Sequence, residues 1–230
     1  MCGRFTSTAE AAALAERFAT RLPEDYRVRF NVAPAQRVVA IRLEEDGERL
    51  AELLRWGLVP HWAKDPNVGY KMINARAETV REKPAYRSLL KAHRCLIPAD
   101  GFYEWRTGPD GKKQPVRFTL ADDEPFAFAG LWARWVQKET GEVLDSCTIV
   151  TTTANDLVAP VHDRMPVILP RGAEAPWLDP ALDPVEAVSL LVPYPADAML
   201  ARPASTLVNS ASNDDPAVLV PDDEQIPLLG

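Results

Sequence analysis

Hydrophobic and polar positions along this chain alternate in short runs more often than they recur every three to four residues. Val38–Leu43 and Arg49–Trp56 carry the two-residue period of a strand, and Asp46-Gly47 between them predicts a hairpin turn. Cys95–Pro98, Phe126–Trp132 and Val143–Thr151 read as buried strands, the last two linked by a turn at Thr140-Gly141. Pro115–Leu120 predicts another strand beyond a turn at Pro109-Asp110-Gly111-Lys112. In Asp100–Trp105 the same period puts Phe102 and Glu104 on one face, Tyr103 and Trp105 on the other.

Helical spacing is rarer. Ala11, Leu14, Ala15, Phe18 and Leu22 predict an amphipathic helix, with Ser7 and Glu10 spaced as a capping box. Short helices are expected at Asn74–Thr79 and Tyr86–Lys91, a helical turn at Thr153–Val158, and Pro-interrupted helices around Trp177 and Val185–Leu191. The 21 prolines hold such segments short. The end from Asn213 is polar and expected to be loosely packed.

Composition narrows the class. With 230 residues, 47% hydrophobic and 26% charged, the chain suits one globular domain over 1–230. No apolar run reaches membrane-spanning length and no signal-peptide pattern opens the chain, so the expectation is a cytoplasmic protein without a membrane partner. Cys2, Cys95 and Cys147 are odd in number and widely spaced, which argues against a disulfide framework and a zinc site. The net charge of −7 speaks against nucleic acid until its distribution is considered. From Lys64 to Arg117 there are 12 Lys and Arg against 6 Asp and Glu, while from Arg171 onward the balance is 2 against 10. A basic middle and an acidic tail are compatible with a polyanion groove.

The chemistry begins at the first residues. Met1 precedes a small residue, the pattern that an aminopeptidase trims, and its removal leaves Cys2 with a free α-amine and a thiol two carbons apart. Such an aminothiol condenses with an aldehyde to a Schiff base and then closes a five-membered thiazolidine ring. Further along, Trp56 to Trp62 form an aromatic-rich loop close to Lys64, Lys71 and Arg76. Aromatics beside basic residues are what single-stranded nucleic acid stacks on, although a core plug is an equal reading of the loop. Asn74 and Arg76 suit a polar, phosphate-bearing substrate. Glu104 among aromatics is either an exposed edge carboxylate or a buried one with a raised pKa. His162 sits in a loop crowded with functional groups, whereas His61 and His93 look structural or superficial.

Taken in order, Met1–Phe5, Asn31–Gln36, Trp56–Trp62, Asn74–Thr79, Arg94–Pro98, Asp100–Trp105, Gly130–Trp132 and His162–Pro166 resemble the SRAP (SOS response-associated peptidase) family. Each motif is weak alone, but eight in register reach almost to Leu169. The resemblance implies an α+β fold, antiparallel and strand-rich, with a barrel-like body and peripheral short helices. It also implies a monomer that needs no cofactor and takes single-stranded DNA containing abasic sites as its partner. Cys2 would then join the DNA covalently, Asn74 would hold the Cys2 amine and the sugar in register, Glu104 would relay protons, and His162 would act on the sugar hydroxyl and in reversal. Arg4 and Arg76 would take phosphates, with Trp56, Trp62 and Thr151 shaping the cleft. Two other readings stay open at this point: an N-terminal-cysteine amidase or autopeptidase, and a non-covalent single-strand binding module.

Overall fold

The computed structural model of the chain describes residues 2–108 and 111–222. Strand β1 (Phe5–Ser7) is followed by α1 (Ala11–Phe18), β2 (Arg29–Val32), and the hairpin of β3 (Arg37–Leu43) and β4 (Arg49–Trp56). A loop leads to β5 (Asn74–Arg76), then to α2 (Pro84–Arg87) and α3 (Leu89–Ala92). The central strands are β6 (Arg94–Ala99), β7 (Gly101–Thr107), β8 (Lys113–Leu120), β9 (Phe126–Val136) and β10 (Val143–Thr153). After β11 (Arg164–Pro166) and β12 (Ile168–Leu169) come α4 (Arg171–Leu178), α5 (Pro184–Ser189) and β13 (Met199–Pro203).

Two sheets form. One has five strands in the order β13-β8-β7-β1-β2. In the other, β4, β3, β6, β9 and β10 pair in a closed ring, because β10 bonds both β9 and β4. This is the barrel-like, mainly antiparallel α+β body expected above, and closing the ring leaves those five strands fewer free edges.

Alternation along the ring strands explains the layering. Val38 and Ala40 of β3, Cys95 and Ile97 of β6, and Phe126 and Phe128 of β9 face a core shared with Phe5, Phe102 and Phe118 of the five-stranded sheet. The intervening Val39, Ile41, Leu96, Ala127 and Ala129 face a second core, closed by Leu14 and Phe18 of α1, Leu90 of α3 and Trp177 of α4. Cys95 and Cys147 are buried in the first core, as expected.

Several local expectations are corrected. Ser7 is drawn into β1 opposite Arg29, so no capping box forms and Glu10 caps α1 without a side-chain bond. The Asp100 carboxylate instead ties down the chain just before α1, accepting from Thr8 N, from Thr8 Oγ1 at 2.8 Å and from Ala9 N at 3.2 Å. Asn74–Arg76 is a strand, not a helix, because it pairs in parallel with Ile149–Thr151 of β10; only Ala77–Thr79 turns, as a 3-10 helix. Thr153 ends β10, and the turn expected there starts at Asn155.

Within residues 213–222, Asp214 and Val218 are held in place. Asp214 pairs with Arg29 and accepts from the amides of Phe30 and Asn31, while Val218 lies in a small core with Tyr103. Pro109 and Asp110 of the expected turn, and the chain from 223, lie outside the described residues.

Candidate functional site

Strand β1 is held on both sides, Phe5 pairing with Val32 of β2 and with Phe102 of β7. Just before it, Cys2 is 0% exposed and packs in the core shared by the two sheets. The site is therefore anchored by strand pairing on both sides of β1. Asn74, at the head of β5, donates through Nδ2 to the Cys2 carbonyl oxygen at 2.9 Å. Its Oδ1 is buried and has no hydrogen-bond partner among the described residues. An unmatched acceptor beside the candidate nucleophile is costly unless a ligand completes it.

Glu104 of β7 is 4% exposed. Burial pushes its carboxyl up to about 7, and the negative charge of Asp163 adds to the effect. The edge reading of Glu104 is thereby replaced by the buried one. Burial also raises the Cys2 thiol, and the charge of Glu104 contributes, which brings the two groups into one electrostatic neighbourhood. His162, half-buried, accepts from the Arg164 amide through Nδ1 at 2.9 Å, and burial lowers its pKa below 6.5. A carboxyl near half-protonation and a neutral imidazole are both usable for proton transfer at neutral pH.

Asn74 also lines a cleft of about 410 Å³, together with Trp62, Met72, Arg76, Thr79, Lys83, Pro84, Ala85 and Tyr86. Trp62 is 57% exposed and Arg76 is exposed. The loop that carries Trp62 is tied at its base by two glycines. A Cβ on Gly69 would stand 2.5 Å from the Gly57 carbonyl oxygen, and Gly57 has φ +126°, so both positions need glycine. Gly57 N donates to Cys147 O at 2.8 Å and Leu58 N to Met72 O at 3.1 Å, fixing where the loop leaves the ring.

Two expected cleft residues are elsewhere. Trp56 is 0% exposed, meets Phe5 edge to face at 5.2 Å and donates to Ile73 O at 2.9 Å, so it supports the cleft from within the core. Thr151 is fully buried between Ala75 O and the Arg164 guanidinium and offers no surface to DNA. Arg4 is half-buried; its guanidinium donates to Asn31 Oδ1 at 2.9 Å and Val208 O at 2.6 Å, which ties the C-terminal turns to the N-terminal strand.

Tyr86 and Lys83 were not foreseen. The Tyr86 hydroxyl lies 3.4 Å from the Asn74 carbonyl oxygen, and burial raises its pKa to about 12. Nothing in the residue spacing marked either one, because the cleft is made by the way the chain from Trp62 to Tyr86 folds back on itself. No group of three His, Cys, Asp or Glu able to hold a metal ion occurs among the described residues.

Residues 1–211 match the SOS response associated peptidase (SRAP) family. The "Abasic site processing protein YoqW" of Bacillus subtilis (strain 168) is 48% identical over 223 residues, covering 95% of this chain and 99% of its own. The "Abasic site processing protein HMCES" of Gallus gallus is 38% identical over 206 residues, covering 80% of this chain and 61% of its own. Among solved structures, a protein from Bacteroides thetaiotaomicron superposes with a TM-score of 0.87 at 29% identity, covering 96% of this chain and all of that one.

Proposed function

The chain belongs to the SRAP family, and we propose that it processes abasic sites by capturing them covalently, in single-stranded DNA, as a thiazolidine on Cys2. Once Met1 is removed, the Cys2 amine adds to the C1′ aldehyde of the ring-opened sugar. Loss of water gives the imine, and the Cys2 sulfur adds to the imine carbon while the nitrogen takes a proton. Aldehyde, amine and thiol thus become one ring plus one water, with no redox partner.

The observation that carries this reading is the Asn74 bridge, which joins the floor of an open aromatic and basic cleft to a buried Cys2. The amide holds the Cys2 backbone, while the vacant Oδ1 is available to the amine or a sugar hydroxyl. Glu104, raised to about 7, gives and takes the protons that carbinolamine formation, dehydration and ring closure need. His162 acts on the sugar oxygen that is protonated on ring opening and rebuilt on reversal. Trp62 supplies a stacking face and Arg76 a phosphate contact.

Amide hydrolysis by Cys2 calls for a lowered thiol pKa, and burial moves this thiol the other way. Ring closure onto an adjacent imine is intramolecular and tolerates that shift. The test is intact-mass spectrometry after incubation with an oligonucleotide carrying one abasic site. A heat-stable adduct of protein lacking Met1 plus DNA minus water is expected. Free protein and intact DNA would end the proposal, and cleaved peptide without adduct would favour amide hydrolysis.

A further inference from the structure

The wall of the cleft continues into a feature that the capture chemistry does not use. Lys83, Pro84, Ala85 and Tyr86 line the cleft, and from Lys83 the chain runs through α2 and α3 almost without a break, since Ser88 between them is itself in the right-handed helical region. Leu89 and Leu90 face the core. Lys83, Arg87 and Lys91, spaced four apart, are exposed. Arg87 and Lys91, at that spacing on the α2–α3 run, share one helix face about 6 Å apart along the axis, and Lys83, the extended cap residue of α2, stands just ahead of them.

None of the three, nor the neighbouring exposed Arg81, is in an ion pair among the described residues. In a chain of net charge −7, residues 81–91 hold four cations against Glu82 alone. Unpaired like charges in one row repel each other and gain from a polyanion. Three cations in succession offer one contact each to about three neighbouring phosphates of a single strand.

We infer that Lys83, Arg87 and Lys91 form a phosphate track that guides the strand out of the cleft and along α2–α3. The partner is the sugar–phosphate backbone of the undamaged arm on one side of the lesion, bound without regard to sequence. The inference rests on reading the cleft as a single-strand site.

The experiment uses aldehyde-free strands containing a tetrahydrofuran abasic analogue, with affinity followed by fluorescence anisotropy across a salt series. A short strand that fills only the cleft is compared with strands lengthened on the 5′ or the 3′ side. One of the two extensions should tighten binding to the unaltered protein. Arg87→Gln/Lys91→Gln should lose that gain and lower the salt slope by about 1.4, from ~0.7 for each phosphate contact. Its affinity for the short strand and its melting temperature should not change.

A double variant that keeps both the gain and the slope overturns the track, as does one that loses affinity equally for short and long strands. Because no aldehyde is present, the result is independent of whether a crosslink forms. Failure of the capture chemistry would show instead as no adduct with a true abasic strand.

Discussion

The side-chain amide of Asn74 donates to the backbone carbonyl of Cys2 at 2.9 Å, linking residues 72 apart in sequence. Asn74→Asp keeps the shape but replaces the donor with a carboxylate facing a carbonyl oxygen. On the proposed function the crosslinking rate should fall by about 10², the scale of a small misplacement of reacting groups. Affinity for an aldehyde-free strand should stay within a few-fold. Equal loss of rate and affinity would mean that Asn74 binds DNA and does not align Cys2.

Glu104 makes a prediction of opposite sign for activity and stability. Its folded pKa of about 7 lies above the 4.5 of an ordinary glutamate. The stability linked to its protonation is therefore full below about pH 4.5 and lost as the pH rises through about 7. At pH 8 the carboxylate is charged and buried, a cost of roughly 3 kcal/mol at the ~1.4 kcal/mol that one pH unit represents. Glu104→Gln should raise the melting temperature at pH 8, flatten its pH dependence, and slow crosslinking by about 10²–10⁴. A lower melting temperature with an unchanged rate would make Glu104 a structural carboxyl.

His162→Ala should slow reversal of the crosslink at least as much as its formation. Burial holds the imidazole pKa below 6.5, so the neutral form prevails at pH 7. In the unaltered protein the steps that depend on it should weaken only on the acid side of that value. Following release of DNA from purified crosslink against pH checks this, and an alanine variant that reverses at the normal rate would remove His162 from the mechanism.

Trp56 and Trp62 should separate cleanly. Trp56→Ala empties a fully buried site and should cost about 3–5 kcal/mol of stability. Trp62→Ala removes an exposed ring and should leave the melting temperature unchanged while weakening single-strand binding by about 1–3 kcal/mol. Unchanged affinity in Trp62→Ala would take the stacking face out of the proposal.

That pair also shows where the sequence could be read and where it could not. The β3–β4 hairpin was legible because alternation and an Asp-Gly turn are local; the expected Arg49–Trp56 matches β4. Trp56 and Trp62 are both large aromatics in a segment that reads as one loop, and only the structure, which ends β4 at Trp56 and packs Phe5 and Ile73 around it, tells them apart. Asn74–Arg76 misled for a similar reason: its strand character comes from parallel pairing with a segment more than seventy residues later. Cys2, Glu104 and His162 stand out in the sequence as candidates because they are residue types in register with a family. The choice between a buried and an exposed Glu104, and the bridge from Asn74 to Cys2 across 72 residues, depend on how distant strands pack and have no local sign.

The placement of β1 also sets a timetable for synthesis. β1 is an inner strand, and one of its neighbours, β7, begins at Gly101. A ribosome adding about 5–20 residues per second needs on the order of 5–20 s to reach that strand. Throughout that interval the N-terminal segment has no β7 to pair with and stays open to an aminopeptidase. On the proposed function, nascent chains arrested before residue 101 should already lose Met1 readily, whereas refolded full-length protein that still carries it should be trimmed slowly.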